Sequence, residues 1–265
     1  MISCASIWAI VLRHMYVWRR DVNALLFHVY WPILDILTWG YLGMWIQQSS
    51  QAAQFHNYEM VALLGIILWQ FVGRGANIIL ASFTEELWSG NIVSLFSLPL
   101  RMVEWVCGVI IFYAIMTFFA ILVSLTIIVL FYDVVMHEIF LNFLIFFPPL
   151  FLCGIWLGFT ALQILSTLGK RGGEMGFVMI WLFLPFSGAY YPTDILPHWG
   201  QVMSRLLPMS YVFQGMRAYV MHQQDPTIYL IKGYVLSALY AVLGVAGFIY
   251  CFNRSKIKGL ARLTD

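Results

Sequence analysis

Charged residues are scarce in this chain, and so are the motifs that would indicate an enzyme or a metalloprotein. Only 10% of the 265 residues are charged, whereas 62% are hydrophobic, so a water-soluble fold would have too little polar surface. The basic residues form no continuous stripe, which argues against nucleic acid as a partner. The four cysteines contain no CxxC pair and the six histidines no i, i+4 pair, so we expect free thiols and no metal site.

Two further absences concern energy and catalysis. No GxxxxGK[ST] sequence occurs, so we expect that this chain does not hydrolyse ATP through a P-loop. A partner or an ion gradient must then drive any active transport. The chain also lacks a Gly-x-Ser nucleophile motif, which argues against an integral membrane enzyme of the intramembrane protease kind. An ion-gradient-driven secondary transporter stays an alternative, although we find neither internal repeats nor paired mid-membrane carboxylates.

Long apolar stretches dominate what is present. A helix that crosses a bilayer needs roughly 20 apolar residues, and six stretches come near that length: 23–46, 60–83, 105–131, 139–168, 175–191 and 228–252. They predict an all-α integral membrane fold with six transmembrane helices in a single domain, 1–265. The fifth stretch is the shortest and contains Pro185, which predicts an irregular or broken helix.

The distribution of Lys and Arg predicts the orientation. With the amino end inside, ten of the 14 Lys and Arg fall on the cytoplasmic side, and the loops 47–59 and 132–138 have none. The positive-inside rule therefore places both termini in the cytoplasm. We expect a multi-pass protein of the cell's inner (cytoplasmic) membrane.

Residues 3–20, ahead of the first stretch, have the pattern of an amphipathic helix. At 100° per residue, one face is apolar and the opposite face is small or basic, which predicts a helix lying on the inner leaflet. The alternative is that this segment simply begins the first span. The apolar face carries Ile7, Val11, Met15 and Trp18, and the other face carries Ser6, Ala9, Arg13 and Arg20.

The cytoplasmic loop after the second stretch begins with acidic residues and continues with apolar ones at helical spacing. This pattern predicts a short helix over 84–98 along the membrane surface, with Thr84 as its cap and Pro99 as its end. An acidic and apolar helix at this place is suited to docking a soluble partner. An ordinary loop is the alternative.

The outer connection 191–222 is too apolar for a solvated loop and too broken for a span. Pro192, Pro197 and Pro208 divide it into two short helices, 195–206 and 209–221. We interpret it as a helical hairpin that dips into the outer leaflet.

Both connections carry a resemblance. The stretch Glu85-Glu86-Leu87-Trp88-Ser89-Gly90-Asn91, with Leu95-Phe96-Ser97-Leu98-Pro99 and Glu104, resembles the first cytoplasmic loop of type-2 ABC transporter permeases. Trp-Ser-Gly-Asn stands here where many relatives carry a Gly-Thr pair. The run Leu184-Pro185-Phe186-Ser187-Gly188, with Tyr191-Pro192, Leu196-Pro197, Leu207-Pro208 and Gly215-Met216-Arg217, is similar to that family's outer hairpin. With the amphipathic start and six spans, the resemblance covers essentially the whole chain.

The resemblance implies the membrane subunit of an ATP-driven exporter. Two permease chains, expected to be a homodimer in membrane lipid, would form the pathway, and two ATP-binding cassette subunits would dock inside and carry ATP and Mg, with no cofactor bound by this chain. Residues 84–98 would be the coupling helix. The outer hairpin, with Pro192, Pro197, Pro208 and Arg217, would seal or shape the exit. The cargo would be a hydrophobic or lipid-linked molecule or a drug. The implied docking residues are Glu85, Glu86, Leu87, Trp88 and Asn91.

Three charges lie in or beside the spans. Asp35 is near the middle of the first stretch and Arg74 is slightly cytoplasmic of the middle of the second. An unpaired charge at mid-membrane costs at least about 3 kcal/mol, so we hypothesise an Asp35–Arg74 contact. A cargo-facing charge and a site wetted from the cytoplasm are the alternatives. Glu104, at the cytoplasmic end of the third stretch, either braces the docking helix or is a plain interfacial charge.

Aromatic residues make up 17% of the chain. Those within the spans either form walls for a lipidic or ring-containing cargo or face lipid and neighbouring helices. Gly154 and Gly158 form a GxxxG pair in the fourth stretch, which indicates a close helix contact. The span aromatics include Trp31, Trp39, Phe112, Phe118, Phe119, Trp156 and Trp181.

Overall fold

The computed structural model describes residues 3–20, 30–31, 33–42, 45, 58–131 and 144–260. All regular structure within these ranges is helical. The helices are α1 Cys4–Arg20, α2 Ile33–Leu42, α3 Tyr58–Trp88, α4 Ile92–Ser97, α5 Met102–Phe131, α6 Phe147–Leu168, α7 Lys170–Leu182, α8 Leu184–Ser187, a 3-10 turn Thr193–Ile195, α9 His198–Leu206, α10 Pro208–His222 and α11 Thr227–Ile257.

Four helices in the described ranges are long and apolar enough to cross a membrane. They correspond to the second, third, fourth and sixth predicted stretches, and α6 begins later than predicted because Pro148 and Pro149 favour the first turn of a helix. These spans are Leu64–Trp88, Met102–Ser124, Phe147–Leu168 and Thr227–Ile257. The chain is therefore a multi-pass membrane protein.

The other two predicted stretches differ from these four. The first, 23–46, lies partly outside the described residues, which include its short apolar helix α2. The fifth, 175–191, is divided between α7, with 13 residues, and α8, with four, and Pro185 occupies the first turn of α8. The predicted break around Pro185 is therefore present.

Helix α6 lies at the centre of the bundle and packs most extensively against α3 and α11. A Cβ atom added to Gly158 would lie 2.7 Å from the Cβ of Ile79 on α3. Gly154 faces Tyr113 of α5, whose hydroxyl donates a hydrogen bond to the backbone oxygen of Phe71 at 2.7 Å. The close contact predicted from the GxxxG pair is confirmed, because only glycine leaves room for the α3 side chain.

Helix α1 is present over nearly the predicted range, but its apolar face packs against protein. Val11 is buried against α5, and a Cβ on Gly108 of α5 would lie 2.8 Å from the Cβ of Ile10. The predicted apolar face is therefore at least partly covered by α5, and the position of α1 on the inner leaflet stays a prediction. The exposed apolar side chains of α1 are Trp8, Leu12, Tyr16 and Val17.

The single helix predicted over 84–98 is divided into two elements. Thr84 does not cap a helix; its hydroxyl donates to the Leu80 oxygen at 2.8 Å inside α3, which continues to Trp88. Gly90, at φ +71°, then ends α3. The Asn91 N–H donates a hydrogen bond to the Glu86 backbone oxygen, and the Gly90 N–H donates to the Leu87 backbone oxygen. These two bonds form a Schellman motif. The prediction failed because the apolar periodicity of α3 runs on into the loop.

The remaining helix of that segment, α4, covers only Ile92–Ser97. It ends as expected before Pro99, because the residue ahead of a proline disfavours helical backbone, and Leu98 is extended.

The outer connection contains two short helices, close to the predicted bounds. Pro197 immediately precedes α9 and Pro208 is the first residue of α10, where a proline costs no helical hydrogen bond. Pro192 is extended and leads into the 3-10 turn. The Gln214 side chain donates to the Thr193 hydroxyl at 3.2 Å, which fastens α10 to that turn.

Candidate functional site

A stripe of polar side chains runs along one face of α3. The stripe consists of Gln70, Arg74, Asn77 and Glu85. Their spacings of four, three and eight residues place them on the same side of the helix. Gln70 and Glu85 are 15 residues apart, which corresponds to about 22 Å along the helix axis. All four line a single cavity of about 700 Å³.

Aromatic side chains from other elements form much of the remaining wall. The cavity is contacted by Phe112 of α5, Trp181 of α7 and Tyr190, besides Trp31 and Trp18. Indole and phenol rings offer a large apolar face together with a polar edge. The cavity is therefore amphipathic, with a polar α3 face opposite aromatic rings.

The aromatic residues singled out in the spans divide between the two interpretations. Trp31, Phe112 and Trp181 line the cavity. Phe118 and Phe119 are exposed on the outside of α5, where lipid would meet them. The other two pack within the protein: Trp156 meets Tyr240 edge-on at 4.8 Å, and Trp39 stacks on Tyr190 at 5.0 Å.

The hypothesised contact between Asp35 and Arg74 is present in this cavity. The Arg74 Nη2 atom lies 3.8 Å from Asp35 Oδ2, and Gln70 Nε2 donates to the same oxygen at 2.5 Å. Gln70 was not predicted, although its position one turn before Arg74 on α3 is the signal that could have revealed it. The three side chains join α2 to α3.

His14 of α1 also lines the cavity and was not predicted. Its ring stacks on Phe112 with centroids 5.3 Å apart, and its Nε2 has no hydrogen-bond partner among the described residues. Burial, and to a lesser extent the neighbouring positive charge of Arg13, lowers the pKa of His14 to about 4. His14 is therefore uncharged at neutral pH.

Glu86 was predicted to dock a partner, but its carboxylate is bound by another residue of this chain. Arg13 of α1 holds both carboxylate oxygens, with Nε to Oε1 at 2.5 Å and Nη2 to Oε2 at 2.6 Å, and only 5% of Glu86 is exposed. Leu87 is also buried in the core. The other three predicted docking residues, Glu85, Trp88 and Asn91, are exposed at the end of α3 and the turn after it.

Glu104 joins the beginnings of two helices. Its Oε1 accepts the Ser3 N–H at 2.8 Å and its Oε2 accepts the Arg101 N–H at 3.0 Å. These N–H groups stand at the starts of α1 and α5, where helices leave donors without intrahelical acceptors. Glu104 therefore braces α1 against α5, which neither of the two sequence interpretations specified.

Arg217 lies inside the outer hairpin. Only 7% of it is exposed, and its two terminal nitrogens have no hydrogen-bond partner in the described ranges. It packs against Gly188, where an added Cβ would lie 2.8 Å from Nη2. Arg217 therefore connects α10 to the turn after α8, a position that proximity in sequence does not indicate.

Apolar helices long enough to cross a membrane, together with an amphipathic cavity, define a polytopic membrane protein. A family model described as "ABC-2 type transporter" matches residues 5–221, and the chain belongs to this family. It is thus a permease subunit of an ABC transporter and not an ATPase itself, and such permeases normally work with a separate ABC ATPase subunit. No curated protein matches the chain closely enough to serve as a second comparison.

Proposed function

We propose that the chain is one half of an ATP-driven exporter that moves a hydrophobic or lipid-linked molecule or a drug outward along α3. Two copies, as a homodimer, form the pathway, and two ATP-binding cassette subunits bind on the inner face with ATP and Mg. The protein crosses the inner membrane six times, with both termini in the cytoplasm. The hairpin of α9 and α10 dips into the outer leaflet at the exit.

The polar stripe of α3 is the observation that supports this function most. It extends for about 22 Å, most of the roughly 30 Å of hydrocarbon in a bilayer. Charged and amide side chains at that depth are costly against lipid and typically mark substrate pathways. A purely structural helix would need no such stripe, so the stripe supports a path for cargo.

The exposed end of the same helix supports coupling to an ATPase. Trp88 is 67% exposed, directly after the buried Leu87, and α4 buries Leu95 and Phe96 while Val93 stays exposed. We propose that the docking surface consists of Glu85, Trp88, Asn91 and Val93. Because α3 carries both this surface and the cavity, movement of the ATPase acts directly on the pathway wall.

Co-purification and vesicle transport test the proposal. We expect a P-loop ATPase encoded with this chain to purify with it, and Trp88→Ala to weaken that association about tenfold, a loss of about 1.4 kcal/mol. Trp199→Ala is the matched control, because Trp199 is similarly exposed but lies in the outer hairpin. We also expect inside-out vesicles to accumulate cargo only with ATP. Transport that survives inactivation of the ATPase but stops when a proton gradient is collapsed would contradict the proposal.

A further inference from the structure

We propose that α1 binds anionic phospholipids through the side that it turns away from the bundle. This is not the side that sequence periodicity predicted to meet the membrane, since α5 covers at least part of the predicted apolar face. Three features of the helix support lipid as the occupant: its fixed orientation, the side chains that it exposes and the charge at its carboxyl end.

Contacts along its length fix which side of α1 faces the protein. Ile10 is buried, and the ring of His14 stacks on Phe112 of α5 with centroids 5.3 Å apart. The ring of Trp18 meets Phe119 of α5 edge-on at 5.8 Å. Ile10, His14 and Trp18 are four residues apart, so they form one side of the helix. The opposite side is therefore directed out of the bundle, and it cannot turn inward without breaking these contacts.

The outward side of α1 is apolar and aromatic over three turns. Trp8, Leu12 and Tyr16 follow one another at intervals of four residues, and they are 55%, 38% and 60% exposed. Trp and Tyr are enriched at membrane–water interfaces, because one end of each side chain is apolar and the other is polar. A contiguous exposed stripe of this kind marks a contact with lipid or with another protein.

This stripe adjoins a surface that faces lipid. Helix α5 is long and apolar enough to cross the membrane, and Phe118 and Leu122 on it are 62% and 47% exposed. Phe119, the neighbour of Phe118, contacts Trp18 near the carboxyl end of α1. Acyl chains that cover this part of α5 therefore reach the outward side of α1 as well.

Two arginines give the end of the stripe a positive charge. Arg19 and Arg20 follow Tyr16 by three and four residues, so they continue on the same side, and both are exposed. Helix α1 contains no acidic residue, and Asp21, the next residue in sequence, balances only one of the two charges. Arginine binds phosphate through paired hydrogen bonds, and basic side chains beside a membrane attract anionic lipids. A second α1 would bring like charges, so lipid fits this side better than self-association.

Fluorescence quenching by nitroxide lipids tests which lipid lies beside α1. Cys4→Ser, Cys107→Ala and Cys251→Ala leave only the buried Cys153, and bimane is attached through Tyr16→Cys in the full chain. The protein is placed in phosphatidylcholine nanodiscs in which a tenth of the lipid carries a doxyl group, on phosphatidylcholine in one sample and on phosphatidylglycerol in the other. We expect labelled phosphatidylglycerol to quench about twice as strongly, and molar KCl to reduce the difference by screening.

Matched substitutions assign the preference to the arginines. Arg19→Gln with Arg20→Gln should make the two lipids quench equally. Lys256→Gln with Lys258→Gln, an exposed basic pair at the end of α11, should leave the difference unchanged. A bimane on Val242→Cys, where 66% of the side chain is exposed in the middle of α11, should be quenched equally by both lipids.

Three results would overturn the lipid proposal. The first is equal quenching by the two lipids in the protein that keeps both arginines. The second is quenching by neither lipid, which would mean that a second copy of the chain or another protein covers the stripe. The third is a preference that survives the loss of both arginines or disappears with the lysines. None of them tests the exporter function, which fails only if no ATPase purifies with the chain or ATP drives no transport.

Discussion

Arg13 of α1 and Glu86 of α3 form a two-pronged ion pair, with nitrogen to oxygen distances of 2.5 and 2.6 Å. The carboxylate of Glu86 is almost wholly buried, whereas 39% of the Arg13 side chain is exposed. The pair fixes α1 to the carboxyl end of the helix that lines the cavity. Together with the bonds from Glu104, it holds α1 at two places along its length.

Replacing Arg13 alone should therefore lower the stability of the fold more than replacing both Arg13 and Glu86. In Arg13→Ala the Glu86 carboxylate stays buried without this partner. We expect a loss of about 2 kcal/mol, less than the roughly 3 to 5 kcal/mol of a fully buried pair, because Arg13 is partly exposed. The apparent Tm of the protein in nanodiscs measures it. The double variant Arg13→Ala with Glu86→Gln should recover part of the loss. A double variant that melts below Arg13→Ala would contradict this account.

The buried imidazole of His14 should make stability depend on pH. Its pKa is about 4 in the folded protein against roughly 6.5 when unfolded. Between these values the unfolded chain binds more protons, so His14's contribution is complete above pH 6.5 and falls as the pH drops towards 4, by about 3 kcal/mol. Apparent Tm measured from pH 7.5 to 4 should show a shallower decline for His14→Gln than for the parent. Equal slopes would exclude His14 as the source.

A charge swap tests the contact between Asp35 and Arg74. Asp35→Asn should remove the charged partner at 3.8 Å from the Arg74 guanidinium and lower both the apparent Tm and the yield of folded protein. The exchange Asp35→Arg with Arg74→Asp should recover part of the loss, because the Gln70 amide can turn its oxygen towards the new arginine. The hypothesis fails if the exchanged protein is no more stable than either single change.

Gly158 should not tolerate a side chain. An alanine there would bring its Cβ within 2.7 Å of Ile79, and overpacking of this kind costs about 1 to 3 kcal/mol. Gly173→Ala is the matched control, because a Cβ at that helical position meets Leu165 at an ordinary 3.6 Å. Changing Ile79 to Ala in the Gly158→Ala background should restore part of the apparent Tm. Equal melting of the Gly158 and Gly173 variants would contradict the close contact.

Four of the six predicted spans and the Asp35–Arg74 pair could be predicted from sequence, because both follow from the cost of polar groups in lipid. The Asp35–Arg74 contact could be predicted from the similar depth and the opposite charges of the two residues. The Arg13–Glu86 pair joins residues 73 positions apart, and sequence contains no signal for that proximity. The helix over 84–98 was misplaced for a local reason: Leu87 continues the buried face of α3, so only the backbone turn at Gly90 marks where that helix ends.

Helix α3 contains no proline between Tyr58 and Trp88, so it lacks the commonest cause of a kink. Such a straight helix transmits a rotation from one end to the other. With side-chain tips about 6 Å from its axis, a twist of roughly 20° applied at Trp88 would carry the amide of Gln70 about 2 Å sideways. That displacement is enough to break the 2.5 Å hydrogen bond from Gln70 to Asp35, so a small rotation of α3 would alter the polar wall of the cavity.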